Sequence, residues 1–205
     1  MFNKMRRIIV VVMAAAALTA CTRSGWTSAE SRLILDGDGL MRVLTVDDPA
    51  DSVVLRQASV MMSAEDLQAP EYDALARRMV ITVTDPSQDG VGIAGPQVGV
   101  LRRIVAVQRF DKEGEPFEVY PNIRIVAVRG EAEPGSEGCL SVPGRRGQVL
   151  RWRDIDIEYT SLATMQDTLE TVQGFTAVIF QHECDHLDGV LYTDKLEIPV
   201  KNDLQ

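Results

Sequence analysis

Gln181-His182-Glu183-Cys184-Asp185-His186 holds both histidines of a 205-residue chain. Residues four apart stack on one face of a helix, so His182 and His186 can present two imidazole nitrogens to one ion while Glu183 projects beside them. The frame is His-Glu-x-x-His: two neutral nitrogen ligands, and a carboxylate placed to act on water at the metal rather than on the metal. The flanking sequence predicts a helix from about Gly174 to Leu187, with Phe175, Val178 and Ile179 on faces neighbouring the histidines and Gly189 as its terminator. The bland alternative, a helix carrying two surface histidines, fits poorly in a chain that has no others.

Two histidines leave a third protein ligand to be found. No further His exists, and only Glu197 follows the helix. Upstream stands Glu137-Gly138-Cys139-Leu140-Ser141, in which a Cys139 thiolate completes a Cys-His-His site with one open position, as a hydrolytic metal requires. Taken alone, Cys139 reads equally as a small buried residue.

Working outward, the apolar positions Leu67, Leu75, Met79 and Val83 predict a helix over Ala64 to about Thr84, started by Ser63 with Asp66 three residues on and stopped by Asp85-Pro86. The glycine-rich run Gly90 to Gly99 cannot be a regular helix. Strands are predicted at Arg103 to Gln108, Phe117 to Val128 (one or two), Val149 to Tyr159 and Thr168 to Val172. Helix, antiparallel strands, then helix is an α+β pattern.

The amino terminus reads as an address. Lys4, Arg6 and Arg7 precede an apolar or small run from Ile8 to Ala20, the outline of a secretion signal and short for a membrane span, which needs about 20 apolar residues. Leu18-Thr19-Ala20-Cys21 resembles the bacterial lipobox, which implies cleavage before Cys21 and its lipidation. An uncleaved anchor, or an ordinary signal followed by a chance cysteine, remain the alternatives. Loss of residues 1–20 removes three of the 21 bases and none of the 30 acids, so the charge moves from −9 to −12. Residues 21–51, rich in Ser, Thr, Gly and Asp, read as a linker and irregular segment, with Leu40 to Leu44 a short strand or packing segment. Residues 52–205 are then the catalytic domain. Acids outnumber bases and no basic run lies in the body, which excludes a nucleic-acid binder. Three cysteines make no disulfide framework.

Gly90-Val91-Gly92-Ile93-Ala94-Gly95-Pro96-Gln97, Glu137-Gly138-Cys139-Leu140-Ser141 and Gln181-His182-Glu183-Cys184-Asp185-His186-Leu187-Asp188-Gly189 together resemble the three signature motifs of the peptide deformylases, in order and spacing. The resemblance implies an α+β fold with antiparallel sheets around a central metal-binding helix. It implies removal of the formyl group from N-formylmethionyl peptides, with one divalent ion on Cys139, His182 and His186, Fe2+ in the family and Zn2+ as an alternative for this donor set. Glu183 is implied as the proton carrier, and the Gln97 side chain with the Leu140 backbone N–H as donors to the oxyanion. Val91, Gly92, Ile93, Ile179 and Arg146 are implied in substrate binding, although the apolar ones read equally as core and Arg146 as a solvated side chain. Glu137 is implied as a brace for the metal ligands. Gly95 stands where the family usually has alanine, which suggests added backbone freedom beside Gln97.

The expected partners are an N-formylated peptide and, through a lipid on Cys21, a membrane. The expected state is a monomer facing the periplasm or cell exterior. Two other classes compete: a His-Glu-x-x-His metallopeptidase, disfavoured by its missing third His or Glu ligand, and a non-catalytic peptide- or metal-binding lipoprotein, which would need neither Glu183 nor Gln97.

Overall fold

The computed structural model describes residues 25–197; Cys21 and the amino-terminal address lie outside the described residues. Four helices come first, α1 (Ser28–Leu35), α2 (Pro49–Leu55), α3 (Ala64–Gln68) and α4 (Pro70–Val83). Strands β1 (Gly92–Ala94), β2 (Ile104–Gln108), β3 (Phe117–Pro121), β4 (Arg124–Arg129), β5 (Glu133–Cys139), β6 (Val142–Arg151), β7 (Asp154–Ser161) and β8 (Gln166–Gln173) come next, and α5 (Gly174–Leu187) closes the fold. The strands form two antiparallel sheets, β1-β2-β3 and β4-β7-β8, and a long hairpin, β5-β6. Helices plus antiparallel sheets make the expected α+β architecture.

The alternation of β2 decides where the core lies. Ile104 and Ala106 pack with Leu75, Met79 and Val83 of α4, whereas Val105 and Val107 pack with Ala177, Phe180 and Cys184 of α5. Side chains on a strand alternate between faces, so one fully apolar strand has a helix on each side. The first sheet is thereby held between α4 and α5, and the histidine-bearing helix is central.

Two expectations are corrected. The single helix expected over Ala64–Thr84 is two: α3 begins at the Ser63/Asp66 capping box, and the chain restarts at Pro70, which occupies the first turn of α4 because it has no N–H to donate. The segment 21–51, expected as a linker, is an integral part of the domain over its described residues. Thr27 and Glu30 form a capping box that starts α1, Asp48 caps α2, and Ile34, Met41 and Leu44 are buried. Its polar residues act as helix caps. Arg78, itself buried, ties the segment down by donating to the carbonyls of Leu33, Ile34, Gly39 and Leu40. Arg102 spans Glu30 (2.8 Å) and stacks its guanidinium on Trp26. No described helix is long and apolar enough to cross a membrane.

Candidate metal centre

Helix α5 ends at Gly189, whose φ of +72° suits glycine and whose absent Cβ would stand 2.6 Å from the Arg56 carbonyl oxygen. Gln181 anchors the helix sideways: its amide donates to the Trp152 and Ala177 carbonyls and accepts from the Trp152 N–H. These bonds aim one face of α5 at the closed end of the β5-β6 hairpin.

There the donor atoms of Cys139, His182 and His186 all lie within 4.8 Å of one another, with Cys139 Sγ 3.1 Å from His186 Nε2. Nitrogen and sulfur ligands 2.0–2.3 Å from one tetrahedral ion stand about 3.5 Å apart, so the three fit a single small cation and leave one position open. Glu137 Oε2 lies 2.8 Å from His182 Nδ1, which turns Nε2 toward the thiol. Arg151 grips the same carboxylate through Nε (2.7 Å) and Nη2 (3.0 Å) and reaches Asp185 on α5 through Nη1 (2.6 Å). Tyr192 stacks on the His182 ring.

Electrostatics agree with a cation site. Burial opposes charge on His182, but the neighbouring Cys139 and Glu137 outweigh it and lift its pKa to about 10. Burial, aided by the charge on His182, drives His186 well below the usual imidazole range. Burial likewise works against the Glu137 carboxylate, yet His182 and Arg151 hold it at about 2. The Glu137 carboxylate that favours positive charge on His182 favours a cation at the same place.

Glu183 lies beside the triad, 3% exposed, with Oε2 lacking any hydrogen-bond partner among the described residues; burial raises its pKa to about 7. Gly92 makes room for it: a Cβ there would stand 2.5 Å from Glu183 Oε1 and 2.8 Å from Ile179 Cγ2. The Gln97 amide is oriented at both ends. Its Oε1 accepts from the Ala94 N–H (2.8 Å), leaving Nε2 to donate to Ser141 Oγ (3.2 Å), 3.6 Å from Cys139 Sγ.

A cleft of about 780 Å³ opens onto these groups. Val91, Gly92, Gln97, Glu137, Cys139, Leu140, Arg146, Ile179, His182 and Glu183 line it. Ile93 is the correction: it is fully buried in the core beside α4 and does not line the cleft. Val91 precedes β1, so strand alternation does not carry its orientation over to Ile93. Gly95 also differs from expectation. A Cβ there would meet the carbonyl oxygens of Val100 and Arg102 at 2.7 Å, so glycine permits a tight backbone approach where added freedom was expected. Arg151, Ser141, Gln181, Tyr192 and the cleft residues Phe175 and Val178 join the site without having been singled out for it. Of these, only Ser141 and Gln181 carried a sequence signal, their place inside motifs.

The description "Polypeptide deformylase" belongs to the family whose sequence model matches residues 40–202, and the chain is a member of that family, enzymes that remove the formyl group from N-formylmethionyl peptides using a single divalent metal. It is 35% identical over 163 residues to a peptide deformylase of Leptospira biflexa, covering 76% of this chain and 87% of the relative. Its fold resembles the crystal structure of a peptide deformylase from Thermotoga maritima (TM-score 0.65, 30% identity, 78% and 99% of the two chains). It also resembles a Met-Ala-Ser-bound class I type b peptide deformylase from Acinetobacter baumannii (TM-score 0.68, 31% identity, 78% and 100%).

Proposed function

We propose that Cys139, His182 and His186 hold one divalent ion, and that the chain hydrolyses the formyl amide of N-formylmethionyl peptides outside the cytoplasm. The observation that carries the chemistry is the convergence of that donor triad, the buried Glu183 and the oriented Gln97 amide on one cleft. When bound, the ion supplies a Lewis acid and lowers the pKa of a water from about 16 toward 7.

The chain's own residues do the rest. Glu183 accepts a proton from the attacking water at its carboxylate and returns it to the departing amine nitrogen. Gln97 Nε2 and the Leu140 backbone N–H donate to the oxygen of the formyl carbonyl as it gains charge. Val91, Leu140 and Ile179 offer apolar contact to the methionine side chain, the backbone of Gly92 pairs with the extended peptide, and Arg146 contacts it from the hairpin. Glu137 keeps His182 in one tautomer.

Location rests on Cys21 and the residues before it. A lipid there, at roughly 0.8 kcal/mol per buried CH2, anchors the domain facing away from the cytosol, where nascent formylated chains are made. The substrates on this reading are formylated peptides already released, such as fragments of signal sequences. Outside the cytoplasm ferrous iron and the Cys139 thiolate both oxidise readily, which favours Zn2+ over Fe2+.

Protein beginning at residue 22, loaded with either ion, is expected to release formate from formyl-Met-Ala-Ser and to leave the acetylated analogue intact; silence with both ions sinks the activity. Cys21→Ser is expected to move the full-length protein from the membrane to the soluble fraction, and an unchanged distribution removes the anchor.

A further inference from the structure

We propose that the cleft selects short formylated peptides bearing a carboxylate about four residues from the formyl group, held by arginines on the lip made by the β5-β6 hairpin and the turn that follows it; this rests on the deformylase reading of the same cleft. The chain carries a net charge of −9, yet the charge along this lip is inverted. Arg145, Arg146 and Arg153 line the cleft, and the acids that line it are Glu137, neutralised by Arg151, Glu183, buried at its base, and the exposed Asp89.

Two of the arginines lie over glycines of β5. A Cβ at Gly138 would stand 3.6 Å from Arg146 Nε, and one at Gly135 would stand 3.6 Å from Arg153 Nη2. The Arg153 guanidinium therefore lies against the strand at Gly135. A strand rises about 3.3 Å per residue, which puts the two positions roughly 10 Å apart along β5. An extended peptide paired along β5 with its formyl end at Cys139 meets Arg146 first and comes level with Arg153 about four residues on, the two cations reaching it from opposite faces because strand positions three apart project to opposite sides. Guanidinium groups grip carboxylates through paired N–H donors. The existing counter-ions are loosely held: Arg145 meets Asp47 at 3.3 Å with both side chains more than half exposed, and Arg153 meets Glu133 at 3.5 Å. The exposed Arg145–Asp47 pair contributes little and is readily given up, and the Arg153–Glu133 pair is long, with Arg153 half-buried.

The carboxylate has two sources, the free C-terminus of a short peptide or an acidic side chain. The test uses the Zn2+-loaded enzyme and formyl-Met-Ala-Ser-Ala as free acid and as amide, with formyl-Met-Ala-Ser-Asp amide against its Asn counterpart. Formate release gives kcat/KM, and calorimetry on the deformylated products gives affinity without turnover. The carboxylate form is expected to win by about tenfold, less at high salt, with Arg153→Gln bringing the ratio toward one and Arg153→Lys partly restoring it. Preference within the first pair alone assigns the C-terminus, and within the second alone the side chain. Equal values in both pairs, or a ratio untouched by Arg153→Gln and Arg145→Gln, overturn the proposal. Product peptides that keep the preference while no formate appears overturn the deformylase reading alone.

Discussion

Gln97 works because its two ends are treated differently. The Ala94 N–H fixes Oε1, so Nε2 alone faces Cys139 and the cleft. Gln97→Ala is expected to lower kcat about 100- to 1,000-fold, the scale of one lost oxyanion donor, with metal content unchanged; kinetics beside metal analysis checks this. Glu183→Gln keeps the volume and removes the proton acceptor. It is expected to cost about 100- to 10,000-fold in formate release while the protein still binds one ion, and a variant with undiminished turnover would remove Glu183 as the proton carrier. At this scale the clustered donors were legible because the types are scarce: two histidines in one frame, and a cysteine in a glycine-framed motif. Arg151 was illegible because its partners, Glu137 and Asp185, are brought to it by the hairpin and by α5.

Elements were legible where local chemistry and burial agree. Helix α5 lies where its apolar positions and Gly189 put it. The Ser63/Asp66 box starts a helix as expected, but Pro70 divides the segment, since periodicity continues across a proline that the backbone cannot carry. Helix α1 was hidden in a segment whose caps look like linker residues. Its Glu30 makes a prediction about acid. Burial opposes the Glu30 charge, but bonds from Arg102 and Thr27 prevail and bring its pKa to about 2, below the usual 4.5. A depressed carboxylate adds stability that is full above the unfolded value and is lost as pH falls through the folded one. The wild type is therefore expected to lose stability between about pH 4.5 and 2, and Glu30→Gln to show a smaller decline across that window; thermal melts at stepped pH measure both.

At the scale of the molecule, the amino-terminal segment belongs to the core. Deleting residues 1–51 removes Ile34, Met41 and Leu44, buried apolar side chains worth about 1.5–3 kcal/mol each, along with the carbonyls that satisfy Arg78. That truncation is expected to aggregate or melt well below a chain starting at Gly25, and equal melting temperatures would restore the linker reading. The sequence by itself determined the pairing of His182 and His186 with Glu183 between them and the α+β class, because each is written in residue types at short, regular spacing. Only the tertiary structure decided that residues 25–51 are part of the domain, that Ile93 is core while Val91 faces the cleft, that Gly95 answers a backbone approach, and that arginines gather on one lip of an acidic protein. Apart from the local turn at Gly95, these depend on contacts between residues far apart in the chain, and neither periodicity nor spacing encodes such contacts.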